Sequence, residues 1–152
     1  MPPDLWSFAL DLYARPGVEN ACLRLQEQGA DVCLLLAAAW LGRRGVHYDP
    51  VCAEQLQGIA GPWQRDVVEP LRRLRQAWRE AAGTDTGLCE LRDGVKRLEL
   101  DAERRLLARL EEIAAPWPEA NGQDWSWLDV LAGTAREDRD ALQSLRAAAI
   151  EA

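Results

Sequence analysis

The stretch Val32-Cys33-Leu34-Leu35-Leu36-Ala37-Ala38-Ala39-Trp40-Leu41 decides the fold. Gly29 and Asp31 bracket its start, and Gly42-Arg43-Arg44-Gly45 closes it. Ala and Leu are the strongest helix formers, so the run reads as helix rather than strand. Apolar side chains on every face demand cover on every face. A bilayer span needs roughly 20 apolar residues, and this run is too short for one. It therefore predicts the central helix of an all-α bundle over 32–41, with Asp31 as its N-cap.

Outward from that helix, Gly and Pro punctuate the chain at Pro16-Gly17, Gly29, Gly42 to Gly45, Asp49-Pro50, Gly61-Pro62, Gly83 to Gly87 and Pro116 to Gly122. No alternating β-branched run stands between them. A first helix opens at Pro3-Asp4 and carries Leu5, Phe8, Ala9, Leu12 and Tyr13 on one stripe. A second, from Val18 to about Gln28, repeats the pattern and ends on Gly29. A short helix runs from Asp49 to Ile59, and another starts at Pro62 with Trp63, Val67, Leu71, Leu74, Trp78 and Ala81 on a near-heptad seam. Pro70 is expected to bend that helix. The longest spans about 86–115, with Leu88, Leu91, Val95, Leu98, Ala102, Leu106, Leu110 and Ile113 as its stripe. The segments 62–82 and 86–115 make an antiparallel hairpin long enough to clasp the central helix. Residues 116–152, with a short helix near Asp124 and a last one from about Arg136, form a Trp-bearing cap. The expectation is one domain of six to eight helices.

A chain of 152 residues, 48% hydrophobic and 28% charged, can bury a core without staples. Its formal charge of −7 argues against duplex DNA or an anionic membrane as a general partner. Met1-Pro2-Pro3-Asp4 shows no basic leader, so the expectation is a protein that remains in the cytoplasm. Cys22, Cys33, Cys52 and Cys89 form no C-x-x-C pair and fit no zinc spacing, so they read as buried free thiols. With His47 the one histidine, no metal site and no cofactor motif is expected.

Four constellations remain. Arg65, Arg72, Arg75 and Arg79 flank the hairpin's first helix, with Arg73 adjacent. They are a solvated face or a site for an acidic partner or RNA. Glu99 and Glu103, four apart, and the pair Glu111-Glu112 lack the Glu-x-x-His partners of a di-metal bundle. Each has a basic neighbour or an exposed face, which disfavours acid–base chemistry. Asp31 is the one acid with a prospect of burial, and with His47 it would form the polar end of an interior ligand pocket. Among Trp117, Trp125 and Trp127, the spacing to Leu128 turns Trp125 inward and leaves Trp117 or Trp127 partly exposed as a binding anchor.

The blocks Leu5-Trp6-Ser7-Phe8-Ala9-Leu10-Asp11-Leu12-Tyr13-Ala14-Arg15-Pro16-Gly17-Val18, Ala21-Cys22-Leu23-Arg24-Leu25-Gln26, and Ala30-Asp31-Val32 through Leu41 resemble an uncharacterised proteobacterial family of short proteins, a conserved domain of unknown function. The likeness covers the first third to half of the chain. It implies a small bacterial cytoplasmic protein and names no activity; where this chain has Cys33, such relatives often carry Asn. The functional expectation is a protein-binding adaptor or regulator without catalysis. Its partner would be another protein, or a second copy, met through Trp117, Trp127, Arg72, Arg75 and Arg79. The alternatives are a carrier or enzyme holding a hydrophobic ligand beside Asp31 and His47, and RNA binding through the arginine flank.

Overall fold

The computed structural model describes residues 4–152, so Pro3, expected to open the first helix, lies outside the described residues. The chain is all-α, and 79% of the described residues are helical. Among the described residues the only β pairing is an isolated antiparallel bridge between Val46 and Glu119. Helix α1 (Leu5–Tyr13) is capped by Asp4, whose carboxylate accepts from the Ser7 N–H at 2.7 Å. Helix α2 (Val18–Glu27) ends before Gly29, which takes φ +97° as the punctuation required.

The apolar run forms α3 (Val32–Arg44), in which every residue from Cys33 to Gly42 is buried. It is covered chiefly by α1, by α7 (Thr86–Ala114), by α8 (Ser126–Leu131) and by α9 (Arg139–Glu151), with α2 and α4 (Pro50–Trp63) completing the shell. Close approach at its C-terminal end depends on missing side chains. A Cβ on Gly42 would stand 2.7 Å from Trp125 Cε3, and one on Gly45, at φ +77°, would lie 2.2 Å from the Gly122 carbonyl oxygen. Arg44 lies over the Trp40 ring at 4.4 Å and donates to the carbonyls of Ala115 (3.2 Å) and Trp117 (3.3 Å). It thereby satisfies backbone acceptors around the C-terminal end of α7.

The hairpin departs from its expected form. Helix α4 runs through Gly61-Pro62 instead of breaking there, and both of those residues are exposed. A π-helical turn, Gln64–Val68, follows, in which the Glu69 N–H bonds back five residues to the Gln64 carbonyl. Only then do α5 (Glu69–Ala77) and α6 (Arg79–Ala82) form, separated by a break at Trp78. The disturbance expected at Pro70 is thus a wide turn just ahead of it. One extra residue in a turn rotates everything downstream by about 100°. The near-heptad seam accordingly loses phase: Leu74 and Ala81 are exposed, Val68 and Ala82 are buried, and α5 buries no residue fully.

The stripe of α7 holds at Val95, Ala102, Leu106 and Leu110 but fails at two of its leucines. Leu91 and Leu98, expected inward, are 63% and 56% exposed, while Glu99 is 7% exposed. The core cluster takes Leu106, Leu107, Leu110 and Ala114 from α7 and nothing from α5. Only the C-terminal half of the long helix clasps α3. Its other half packs with α5 and α6 as an arm beside the core.

In the cap, the expectation that Trp117 or Trp127 is partly exposed holds for Trp117, whereas Trp127 is fully buried, donates Nε1–H to the Val46 carbonyl at 2.9 Å, and stacks on Trp117 with ring centroids 5.8 Å apart. Trp117 and Trp125 are half-buried. A fully buried indole has no surface left to offer a partner. Among the described residues no helix is long and apolar enough to cross a membrane.

Candidate functional site

Where the arm leaves the core, α1, α2, α3, α5 and α7 enclose a cleft of about 840 Å³. Trp6, Ala9, Leu36 and Leu107 contribute apolar wall, and Leu10, Leu23 and Leu100 stand around it 54%, 45% and 57% exposed. Tyr13, Gln26, Cys33, Gln64, Arg72, Arg75, Arg79, Glu99 and Glu103 supply the polar lining. A shallower hollow of about 390 Å³ shares Gln26, Val32, Gln64 and Arg72 with the cleft and reaches Asp31.

Rotation by the π turn builds this floor. It brings Arg72 and Arg75 against α7, where Arg75 Nε lies 2.5 Å from Glu99 Oε1 and Arg72 Nε lies 3.3 Å from Glu99 Oε2. Gln26, oriented with its amide oxygen toward Arg72, accepts from that guanidinium at 2.6 Å. The Arg75 carbonyl in turn accepts from Arg92 Nε at 2.8 Å. Glu99 therefore holds both arginines, as a carboxylate this deeply buried must. Glu103, one turn on, has a single ion-pair partner among the described residues, Arg72 Nη2 at 3.9 Å.

Asp31 serves two purposes. Its Oδ1 caps α3, accepting from the N–H groups of Cys33 (2.9 Å) and Leu34 (3.4 Å), and takes a third hydrogen bond from Gln64 Nε2 at 2.7 Å. Its Oδ2 is buried with no hydrogen-bond partner. Burial pushes the Asp31 carboxyl up to about 6 against the pull of those donors. Burial, then the neighbouring Glu99 charge, pushes Glu103 up to about 7 in spite of Arg72. Burial also raises Tyr13 to about 12 and holds the Cys33 thiol well above its ordinary value.

The residues singled out from sequence are thus divided. Arg72, Arg75 and Arg79 do line one site, although the first two face an internal carboxylate instead of solvent. Asp31 is the cap expected, and it is half-buried with its Oδ2 fully enclosed. His47 is exposed in the turn after α3, with Nδ1 4.0 Å from Asp124 Oδ2. Since Asp31 and His47 sit at opposite ends of a helix about 20 Å long, they do not share a pocket. Trp117 and Trp127 lie in the cap, off the cleft lining. Cys22 and Cys33 are buried as expected, whereas Cys89 is exposed. Among the described residues no group of three or more His, Cys, Asp or Glu is arranged to hold a metal ion.

Sequence reasoning weighed Glu99 and Glu103 only as metal ligands or acid–base groups and set them aside, and it passed over Gln26 and Gln64. A signal did exist. In a hairpin turning near Gly83 to Asp85, residues equidistant from the turn face each other, which sets Arg72 opposite the neighbourhood of Glu99. Chemically, a carboxyl near neutrality beside an apolar wall can hold or release a proton. The nearby Cys33 thiol is kept protonated by burial and is not an activated nucleophile.

Comparison with known families finds a match over residues 4–110 to the family described as "Protein of unknown function (DUF2390)". The chain belongs to that family. The match reaches further than the N-terminal third to half on which the resemblance was read, and every residue lining the cleft falls within it. Trp117 and Trp127 fall beyond it. No curated protein and no solved structure matches the chain.

Proposed function

We propose that this protein acts by binding rather than by chemistry: a small acidic bacterial adaptor or regulator, working in the cytoplasm, that meets another protein through the cleft at the root of its arm. The observation that carries this reading is the rim. Leu10, Leu23 and Leu100 come from three different helices and stand exposed around one charged floor. Apolar side chains gathered around a concavity and bounded by polar groups are the pattern of an interaction site. Arg72 and Arg75, engaged by Glu99 and Gln26, are unavailable to neutralise phosphates, which weighs against RNA. The second reading, a carrier of a small hydrophobic ligand, is favoured by the cleft's volume and convergent polar groups.

Site-specific photocrosslinking in living cells tests the proposal. A photoreactive side chain at Leu23 or Leu100 is expected to give one dominant protein adduct. The same group at Ile150, exposed on α9, is expected to give none. Equal labelling from all three positions defeats the cleft as the contact, and a small-molecule adduct at Leu23 transfers support to the carrier.

A further inference from the structure

Resting on that reading, we infer that the occupant of the cleft is a segment of a partner protein that sets apolar side chains on the leucine rim and one lysine or arginine against Glu103. Charge complementarity carries the argument. Of the cleft's three arginines, Arg72 and Arg75 are both taken by Glu99. Arg79, four residues further along the arm, is in no ion pair among the described residues and exposes its side chain to solvent. At the other end the deficit is of cations. Glu103 is left with a 3.9 Å approach from an arginine already engaged elsewhere, and Asp31 in the adjoining hollow has a buried oxygen without any donor. Two carboxyls thus share what Glu99 leaves over, beside exposed leucines that need apolar cover.

An ammonium or guanidinium is the group that supplies several donors and a positive charge at once. A chain of net charge −7 favours a basic partner on approach as well. The groups facing Glu103 are Tyr13 from α1, Asp31 and Cys33 at the start of α3, Arg72 and Arg75 from α5, and Glu99 on its own helix. Of these, burial pushes Asp31 up to about 6 and Glu103 up to about 7, more than their donors and Arg72 offset. A docked cation favours their ionised forms. Binding therefore releases protons and strengthens as pH rises from 6 to 8.

Short random peptides displayed on phage and selected against the full chain at pH 8 provide the test. Enriched sequences are expected to join apolar residues to a lysine or arginine at fixed spacing. Leu23→Asp and Leu100→Asp, both surface changes whose folding is checked by circular dichroism, are expected to abolish their binding. Glu103→Gln and replacement of the peptide's basic residue by Gln are each expected to weaken binding about tenfold, with no further loss when combined. The wild-type protein should bind more weakly at pH 6 than at pH 8, and the Glu103→Gln variant should lose most of that dependence.

Enriched peptides that need the two leucines but carry no basic residue overturn this inference and leave the cleft standing. Peptides indifferent to Leu23→Asp and Leu100→Asp, or no enrichment at all, overturn both. A lipid or other amphiphile retained in native mass spectra of the protein purified from its own cells, displaced by none of the selected peptides, replaces the protein occupant with a small amphiphile.

Discussion

Glu103 ties the site to stability. Its carboxyl is raised from an ordinary 4.5 to about 7 by burial and by the Glu99 charge, so the unfolded chain ionises it more readily than the folded one. The contribution is fully present below about pH 4.5 and is lost as pH rises through about 7. Glu103→Gln removes that penalty. Urea unfolding is expected to show the variant more stable than wild type by about 2 kcal/mol at pH 8, with the gain vanishing at pH 4. Trp127 is the opposite kind of residue, filled in on every side by Trp117, Tyr48 and the Val46 carbonyl. Trp127→Ala is expected to cost about 3–5 kcal/mol in the same assay, because it leaves a cavity and an unpaired acceptor.

At the scale of elements, five residues of π helix decide which side chains α5 offers to α7. Deleting Val67 restores an ordinary helical count and turns α5 back by about 100°. Arg72 and Arg75 then swing away from Glu99. Chemical denaturation is expected to register a loss of about 3 kcal/mol for that abandoned buried carboxylate, while far-ultraviolet dichroism changes little. The same five residues mark where the sequence stops being legible. Caps, breaks and the enclosed helix α3 follow from local chemistry: Asp4, Asp31 and Asp49 each accept from the backbone where a helix starts. Pro62 and Pro70, by contrast, carry no mark that says whether the helix will break, kink or widen around them. Once it widens, the heptad assignments of α5 slip by one and α5 meets α7 with a different face, so Glu99 is covered by arginines and Leu91 and Leu98 are left exposed. The exposure of Trp127 was misjudged for a related reason. Its partner Val46 lies 81 residues away, beyond the reach of any spacing argument.

Across the whole molecule, the cover of α3 is drawn from both ends of the chain, with α8 and α9 packed on it as directly as α1 and α7 are. A fragment ending at residue 110, where the family match stops, keeps the entire cleft lining but strips away that cover. It is expected not to fold: its amide resonances should collapse into the narrow range of an unfolded chain, and it should aggregate at concentrations where the full chain stays dispersed. The same arrangement has a consequence for biosynthesis. Helix α3 is complete once Arg44 has been added, yet α9 closes over it only after Glu151. At about 5–20 residues per second, translation leaves that interval open for roughly 5–20 seconds. Throughout it the most apolar decapeptide of the nascent polypeptide lacks part of its final cover, so the last helix to be made is the one that seals the hub.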